Sequence, residues 1–480
     1  MRLHFIDLFA PRGIIDRSRD DSRTFDSNQL DRLDFLVAEF KKRGIYVDLN
    51  LNVGRSYKQD DGVTDHDRIR WDKGLVLFDP RLIELQKEYA RQILTHKNPY
   101  TGTEYRNEPA VAIVEILNEN ALYMGYRAPT PFYDEQLTAI YNLWLAKRND
   151  VPAPRLKGPE VAAASHERFH AEMAFYSEME DRFYQDMTHY LRKELGVRVP
   201  ITGTADHSHT GSSYPMLATL SRLDIMDGHT YWQHPGSRVM NTPMVNDPFN
   251  STVVKLSRTA FAGKPYTVSE VNHPFPNEWA SEGIPILAAY ASLQDWDAIF
   301  LYTFEPKRAA DWPPYVGDPF DISLDPVRMT QMASGSLMFL RGDVRAARKT
   351  IVRSYSREQV VDSRRLPPTE SPYFTPGFPL ALPLTHTSRI GSLNGAATPV
   401  PTLAAADPIV SDTGELAWHR AEGKYGVVTV ETERTQALIG FLAANPKSTK
   451  NLSARIETPF AALVLVSLDE EPISRSSRLL

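Results

Sequence analysis

Cysteine is absent from all 480 residues, which excludes disulfide bonds, thiolate metal sites and a cysteine nucleophile. No apolar run approaches the roughly 20 residues that a membrane-spanning helix requires. A basic excess is also missing. Lys and Arg number 54 against 60 Asp and Glu, a net charge of -6, and the cations are spread along the chain rather than gathered into a stripe that would neutralise a phosphate backbone. Neither nucleic acid nor membrane is therefore expected as a partner, and oligomeric state is left open. There is no repeat of solenoid type. A strand pattern begins at Met1 with no partner before it and another opens at Arg478, so the chain is expected to be an internal piece of a longer protein. Compartment stays open, with a secreted or periplasmic bacterial parent favoured.

What the chain does have is the stretch Val111 to Asn120. Its apolar residues surround one acid, Glu115, and it ends abruptly in Asn118-Glu119-Asn120. A continuous Val/Ile/Leu run is what a parallel strand covered on both faces requires, because neither face meets water. Polar residues at the end of such a strand point to the crevice where α/β folds keep their chemistry.

The same pattern organises the chain before and after it. Leu30, Leu33, Leu36, Val37 and Phe40 recur at helical spacing behind a cap at Asp26 or Ser27, and Gly44 closes the helix. Asp79-Pro80 caps a helix through Leu82, Leu85, Tyr89 and Ile93. Residues 121–160 form a long excursion of the kind that builds substrate clefts. A helix from about Ala163 to Leu195 follows, closed by Gly196. The strand readings are 2–8, 45–51, 111–117, 197–204, 223–231, 265–271 and 298–304. Helices alternate with them, which is the order of parallel βαβ units. Seven strands is one short of a (β/α)8 TIM-type barrel, and the deficit falls at the first strand.

Helices are expected near 328–340 and 342–350. Nine prolines then fall between Pro367 and Pro408, marking a linker or strap. From Gly414 the apolar period becomes two, with strands expected at 427–430, 437–442, 452–456 and 461–467, and Arg478 to Leu480 reading as the opening of another. The expected organisation is a catalytic barrel over 1–345, a helix end and Pro-rich strap over 346–413, and an incomplete antiparallel β domain of sandwich type over 414–480. That last domain is expected to contribute packing on the barrel or weak sugar binding rather than catalytic groups.

Tyr266 to His273 is a second β-branched strand with a carboxylate at its tip, Glu270, mirroring Asn118-Glu119. Two glutamates ending two parallel strands can face each other across one mouth, and a carboxyl pair is what glycoside hydrolysis needs: one protonates the leaving oxygen, the other attacks the anomeric carbon or activates water. His207-Ser208-His209, after Asp206, has the spacing of a two-histidine metal site, so a metal-dependent hydrolase competes; no further convergent His/Asp set accompanies it. Asp65-His66-Asp67 reads as a solvated loop. Glu115, inside its strand, is expected to pair with a buried basic or polar group. His4, Asp7 and Asn52 stand at strand tips, where substrate contact and structural hydrogen bonding are both open.

The Asn118-Glu119 and Glu270 motifs, with Asp227-Gly228-His229-Thr230-Tyr231-Trp232 between them, resemble those of the clan A glycoside hydrolases, closest to family 5 and cellulase-like bacterial relatives. The likeness covers about residues 1–345. It implies a retaining hydrolase of β-linked oligo- or polysaccharides, working by double displacement without metal or other cofactor. It also implies Glu119 as acid/base, Glu270 as nucleophile, Tyr231 as the hydroxyl that holds Glu270, and Arg2 as the cation that keeps it ionised. Around them, His4, Asn50, Asn118, His229, Trp232 and Phe304 are the implied substrate-binding residues, with Tyr123 and Trp279 as further rings that can stack on sugars. Asn50 stands where the family often has His, and Tyr302-Thr303-Phe304 replaces its usual tryptophan. A carbohydrate-binding or scaffolding protein on a degenerate barrel is the non-catalytic alternative.

Overall fold

The computed structural model describes all residues except 123–124, 208–211, 236–239, 306–310, 312, 314, 367–378 and 404–405. They fall into two compact units: residues 1–206, 213–226 and 358–366 in the first, and 207–212, 227–357 and 367–480 in the second.

The first unit begins with β1 (Arg2–Leu3), α1 (Ser27–Lys42), β2 (Val47–Asn50), α2 (Pro80–Thr95) and β3 (Val111–Glu115). Both early helices start as their caps dictate: Asp26 accepts from the backbone of Asn28 and Gln29, and Asp79 from Leu82, with Pro80 in the first turn. Helix α2 turns Leu82, Leu85, Tyr89 and Ile93 inward. Next come α3 (Pro131–Ala146), α4 (Pro159–Ala163), α5 (His166–His189), β4 (Ile201–Thr202) and α6 (Tyr214–Leu220). The four strands form one parallel sheet in chain order.

Several assigned strands are shorter than the sequence implied. Leu3 ends β1 because the chain turns at Phe5, whose φ is 59°. At β3 the pairing outlasts the strand: Ile116 N–H donates to Thr202 O and Leu117 N–H to Gly203 O. The excursion 121–160 holds a helix that the sequence reading missed. Pro131 opens α3, and Tyr133, Leu137, Tyr141, Trp144 and Leu145 are its buried face. The long helix is α5, capped by Ser165 and followed by a wider π turn over Tyr190–Glu194.

The unit boundary passes within β5 (Met226–Tyr231), after Met226. The second unit continues with α7 (Thr252–Leu256), β6 (Tyr266–Asn272), α8 (Gly283–Leu293), β7 (Ala298–Leu301) and α9 (Pro326–Leu340). Strands β5, β6 and β7 make a three-stranded sheet in that order. The succession of seven strands and intervening helices is that of the (β/α)8 class, and an antiparallel sheet follows it.

The helix expected over 342–350 does not form. Carboxylates capture its backbone donors instead: Arg345 N–H goes to Glu415, and Arg348 and Lys349 N–H to Asp412. The chain then enters β8 (Thr350–Ser354), α10 (Arg357–Asp362), α11 (Leu382–Thr385) and β9 (Thr387–Ser392), with β8 and β9 parallel neighbours. The region read as a strap is thus partly regular.

Strands β10 (Ile409–Val410), β11 (Leu416–His419), β12 (Val427–Glu431), β13 (Thr435–Gly440) and β14 (Ala461–Val466) form the antiparallel sheet, each paired to the next. No strand forms at 452–456. Leu452 and Ile456 pack as separate anchors beside Leu438 and Leu442, and the nearby Asn451 N–H goes to the side chain of Gln436. At the chain end, Val466 and Leu480 exchange backbone hydrogen bonds.

Period two decides which face of this sheet is covered. Val428, Val430, Ala437 and Ile439 join Trp418 in one core with Val245, Val254, Ile286, Tyr290 and Met338. Trp418 is the anchor. It is fully buried, and its indole N–H donates to Val245 O at 2.8 Å. Trp418→Ala is expected to lower the unfolding free energy by about 3–5 kcal/mol, since it opens a cavity and orphans that carbonyl; denaturant titration measures this.

Candidate active site

In the first unit, the polar end of β3 is built on a buried ion pair. Arg2 Nε meets Glu115 Oε2 at 2.8 Å and Nη2 meets Oε1 at 2.9 Å, with both side chains almost wholly covered. A two-pronged contact of this kind fixes the guanidinium plane. The same Nη2 donates to Asn118 Oδ1 at 2.7 Å, so the buried pair orients the residue before Glu119. Glu115 therefore has the buried basic partner expected of it. Arg2 is thus engaged with Glu115 and Asn118.

The turn that follows is held from several sides. Asn118 N–H donates to Asn52 O, Asn120 N–H to Thr204 Oγ1, and Gly74 N–H to Asn120 Oδ1. Lys73 Nζ donates to the carbonyls of Asn118 and Glu119. Glu119 itself has φ 44°, a left-handed conformation costing about 1–3 kcal/mol that only such surrounding contacts can maintain. No periodic pattern marked Lys73, and the sequence reading missed it. The ring of His4 packs edge-on to Phe5, and its Nδ1 lies 3.5 Å from Nδ2 of the buried Asn50.

Asp7 and Asn52 are structural in this arrangement. Asp7 accepts from Val53 and Gly54 N–H, and burial raises its pKa to about 6. Asn52 donates to Asp72 and Gln86. Two residues past the turn, Leu122 N–H donates at 2.8 Å to Glu180 on α5, whose pKa burial raises to about 8.

That shift has a definite sign. Between its ordinary 4.5 and about 8, the Glu180 carboxyl keeps its proton in the fold but loses it in the unfolded chain. Glu180 should therefore make stability fall as pH rises through that window, and contribute no further change above it. In Glu180→Gln, whose amide oxygen can still accept from Leu122, this part of the decline should vanish, a relative gain of up to a few kcal/mol at pH 8. Unfolding titrations across pH 5–9 compare the two proteins.

The second unit presents Glu270 near the end of β6, almost wholly buried. The Tyr231 hydroxyl donates to Glu270 Oε2 at 2.5 Å, and His229 Nδ1 stands 3.7 Å from the same oxygen. Behind the imidazole runs a relay. Ser269 Oγ donates to Asp227 Oδ2, so it accepts from His229 Nε2 at 2.7 Å, and Asp227 Oδ1 also accepts from Thr267 Oγ1 and Ser269 N–H. Hydrogen bonding thus assigns a proton to Nε2 and turns the Nδ1 edge to the carboxylate. His229 itself is 1% exposed and held by this hydrogen bonding. Its partners Asp227 and Ser269 went unread because they sit on neighbouring strands some 40 residues apart.

Aromatic rings surround Tyr231: Phe320 at 5.0 Å, His234 at 5.2 Å and Tyr302 at 6.2 Å. Phe320 and His234 were not anticipated. Phe304, just past β7, is 42% exposed. Trp232 requires a correction. It is 3% exposed, packs on His273 in the core and donates to Thr242 O, so it presents no face to a sugar. Trp279 likewise packs on Phe441 and Phe460. Tyr123 and the Ser208-His209 part of the two-histidine motif lie outside the described residues.

No protein-family model matches the chain. Among curated proteins, it is 34% identical over 104 residues to mannan endo-1,4-beta-mannosidase 5 of Arabidopsis thaliana, a match covering 20% of this chain and 23% of that protein. Mannan endo-1,4-beta-mannosidase 2 of Oryza sativa subsp. japonica is 32% identical over 103 residues, with the same shares. The matches thus span about a quarter of these relatives' length, and they agree with the glycoside hydrolase resemblance drawn from the motifs. Of solved structures, an endo-beta-1,4-mannanase from Thermotoga petrophila is similar at TM-score 0.42 and 16% identity, over 66% of this chain and 64% of that one. A family 42 beta-galactosidase from G. stearothermophilus gives TM-score 0.47 and 14% identity over 77% and 58%.

Proposed function

We propose that this chain is a retaining glycoside hydrolase acting on β-linked mannose polymers, with Glu270 as nucleophile and Glu119 as acid/base. The observation that carries the reading is the support around Glu270: a carboxylate at a strand end, hydrogen-bonded by Tyr231 and edged by an oriented His229. The Tyr231 hydroxyl bond orients the carboxylate for attack on an anomeric carbon. Glu119, on a separately held turn beside Asn118, is the partner that protonates the leaving oxygen and then takes a proton from water.

Mannan is the proposed polymer because the sequence relatives are named for it. Nothing described favours the non-catalytic alternative. Incubation with β-1,4-mannan, cellulose and xylan, followed by product analysis, tests the assignment. Mannan should be cut in preference, and failure to cut any of the three would end it.

A further inference from the structure

Helix α5 opens with a histidine pair that the proposed hydrolysis does not use. His166 and His170 are one turn apart, and their rings stack with centroids 3.9 Å apart and planes at 28°. Facing them, α10 presents its own one-turn pair, Glu358 and Asp362. His170 Nε2 lies 2.7 Å from Asp362 Oδ1, while His166 Nε2 lies 3.9 Å from that oxygen and 3.8 Å from Glu358 Oε1. One ligand atom from each of His166, His170 and Asp362 falls within 4.8 Å of the others.

A tetrahedral zinc ion, with bonds of about 2.0–2.2 Å, holds its donor atoms roughly 3.3–3.6 Å apart. The spacings here bracket that value, so small rotations of exposed side chains suffice to close the set. Two imidazoles with carboxylates are a donor set suited to zinc-type ions rather than to magnesium or calcium. The surroundings also fit a joint. The segment carrying the carboxylates is seated on α5, with the Arg365 guanidinium 3.9 Å over the Phe169 ring and donating to Ala164 O at 2.6 Å. A bare histidine–carboxylate contact at this exposure adds little to that seating. A shared ion would add far more.

We propose that His166, His170, Asp362 and Glu358 form a binding site for a divalent zinc-type ion that clamps residues 358–366 to the start of α5. The test uses the whole chain, stripped with chelator and titrated with zinc chloride by calorimetry. Cobalt(II) serves as a spectroscopic probe and magnesium as a control. One equivalent of zinc should bind and raise Tm. Cobalt should give the visible absorption of a four-coordinate site, and magnesium should do neither.

In His166→Ala/His170→Ala, affinity should fall on the order of a hundredfold or more, because even residues that merely orient ligands are worth about 10–100-fold. Asp362→Asn supplies a second variant that leaves both rings in place. The metal-free Tm of each variant, compared with that of the stripped parent, confirms that it folds. Absence of zinc binding, or binding of equal strength in both variants, would overturn the proposal.

Discussion

Glu270→Ala is expected to abolish mannan hydrolysis, with kcat falling on the order of 10⁴-fold or more, about 5.5 kcal/mol of transition-state stabilisation. The carboxylate it removes is the group proposed to form the bond to the sugar. Its Tyr231 and His229 partners are arranged around that one oxygen and offer no substitute nucleophile. Azide, a small anion that can enter the vacated space, should restore part of the turnover on an activated substrate. The glycosyl azide should have inverted configuration, because one displacement then replaces two. Full activity in Glu270→Ala, measured by reducing-sugar release, would remove this residue from the mechanism.

Glu119→Ala should behave differently, and the difference separates the two roles. Loss of the general acid slows departure of a poor leaving group by about 10²–10⁴-fold. An aryl mannoside with a very good leaving group needs little protonation, so its first step should be nearly spared. Hydrolysis of the covalent intermediate then becomes slow, because Glu119 is also the base for water. Stopped-flow release of the phenol should show a burst followed by a weak steady state. An equal loss on good and poor leaving groups would contradict the assignment. Glu119→Gln serves as the milder variant, since the left-handed turn at Glu119 is held through backbone contacts that the amide preserves.

Much of this layout is legible before any coordinates. The buried run at Val111 reads as a covered strand, and the Asp79-Pro80 cap as the opening of a helix. Both glutamates were placed at strand ends by the abrupt change from β-branched to polar residues. What escaped is information that local sequence does not hold. The tip of β3 is positioned by Arg2 and Lys73, which lie 116 and 45 residues away in sequence. Trp232 looked like a sugar platform because position alone cannot distinguish an aromatic on a mouth from one turned into the core. The 342–350 helix was lost to Glu415 and Asp412, acids of a distant segment that took its backbone donors. The sequence reading passed over His166 and His170, because Asp362, which gives the pair meaning, stands 192 residues from His170.

The central claim, that Glu270 forms a covalent bond to the sugar, is tested most directly by trapping. A 2-deoxy-2-fluoro-β-mannosyl fluoride slows both displacements but reacts through a good leaving group, so the intermediate accumulates. Mass spectrometry of the intact chain, followed by peptide mapping, should find one fluoroglycosyl group, carried by Glu270, and activity should decay as it appears. A label on any other carboxylate, or full turnover of mannan with an inverted first product and no adduct, would contradict the account.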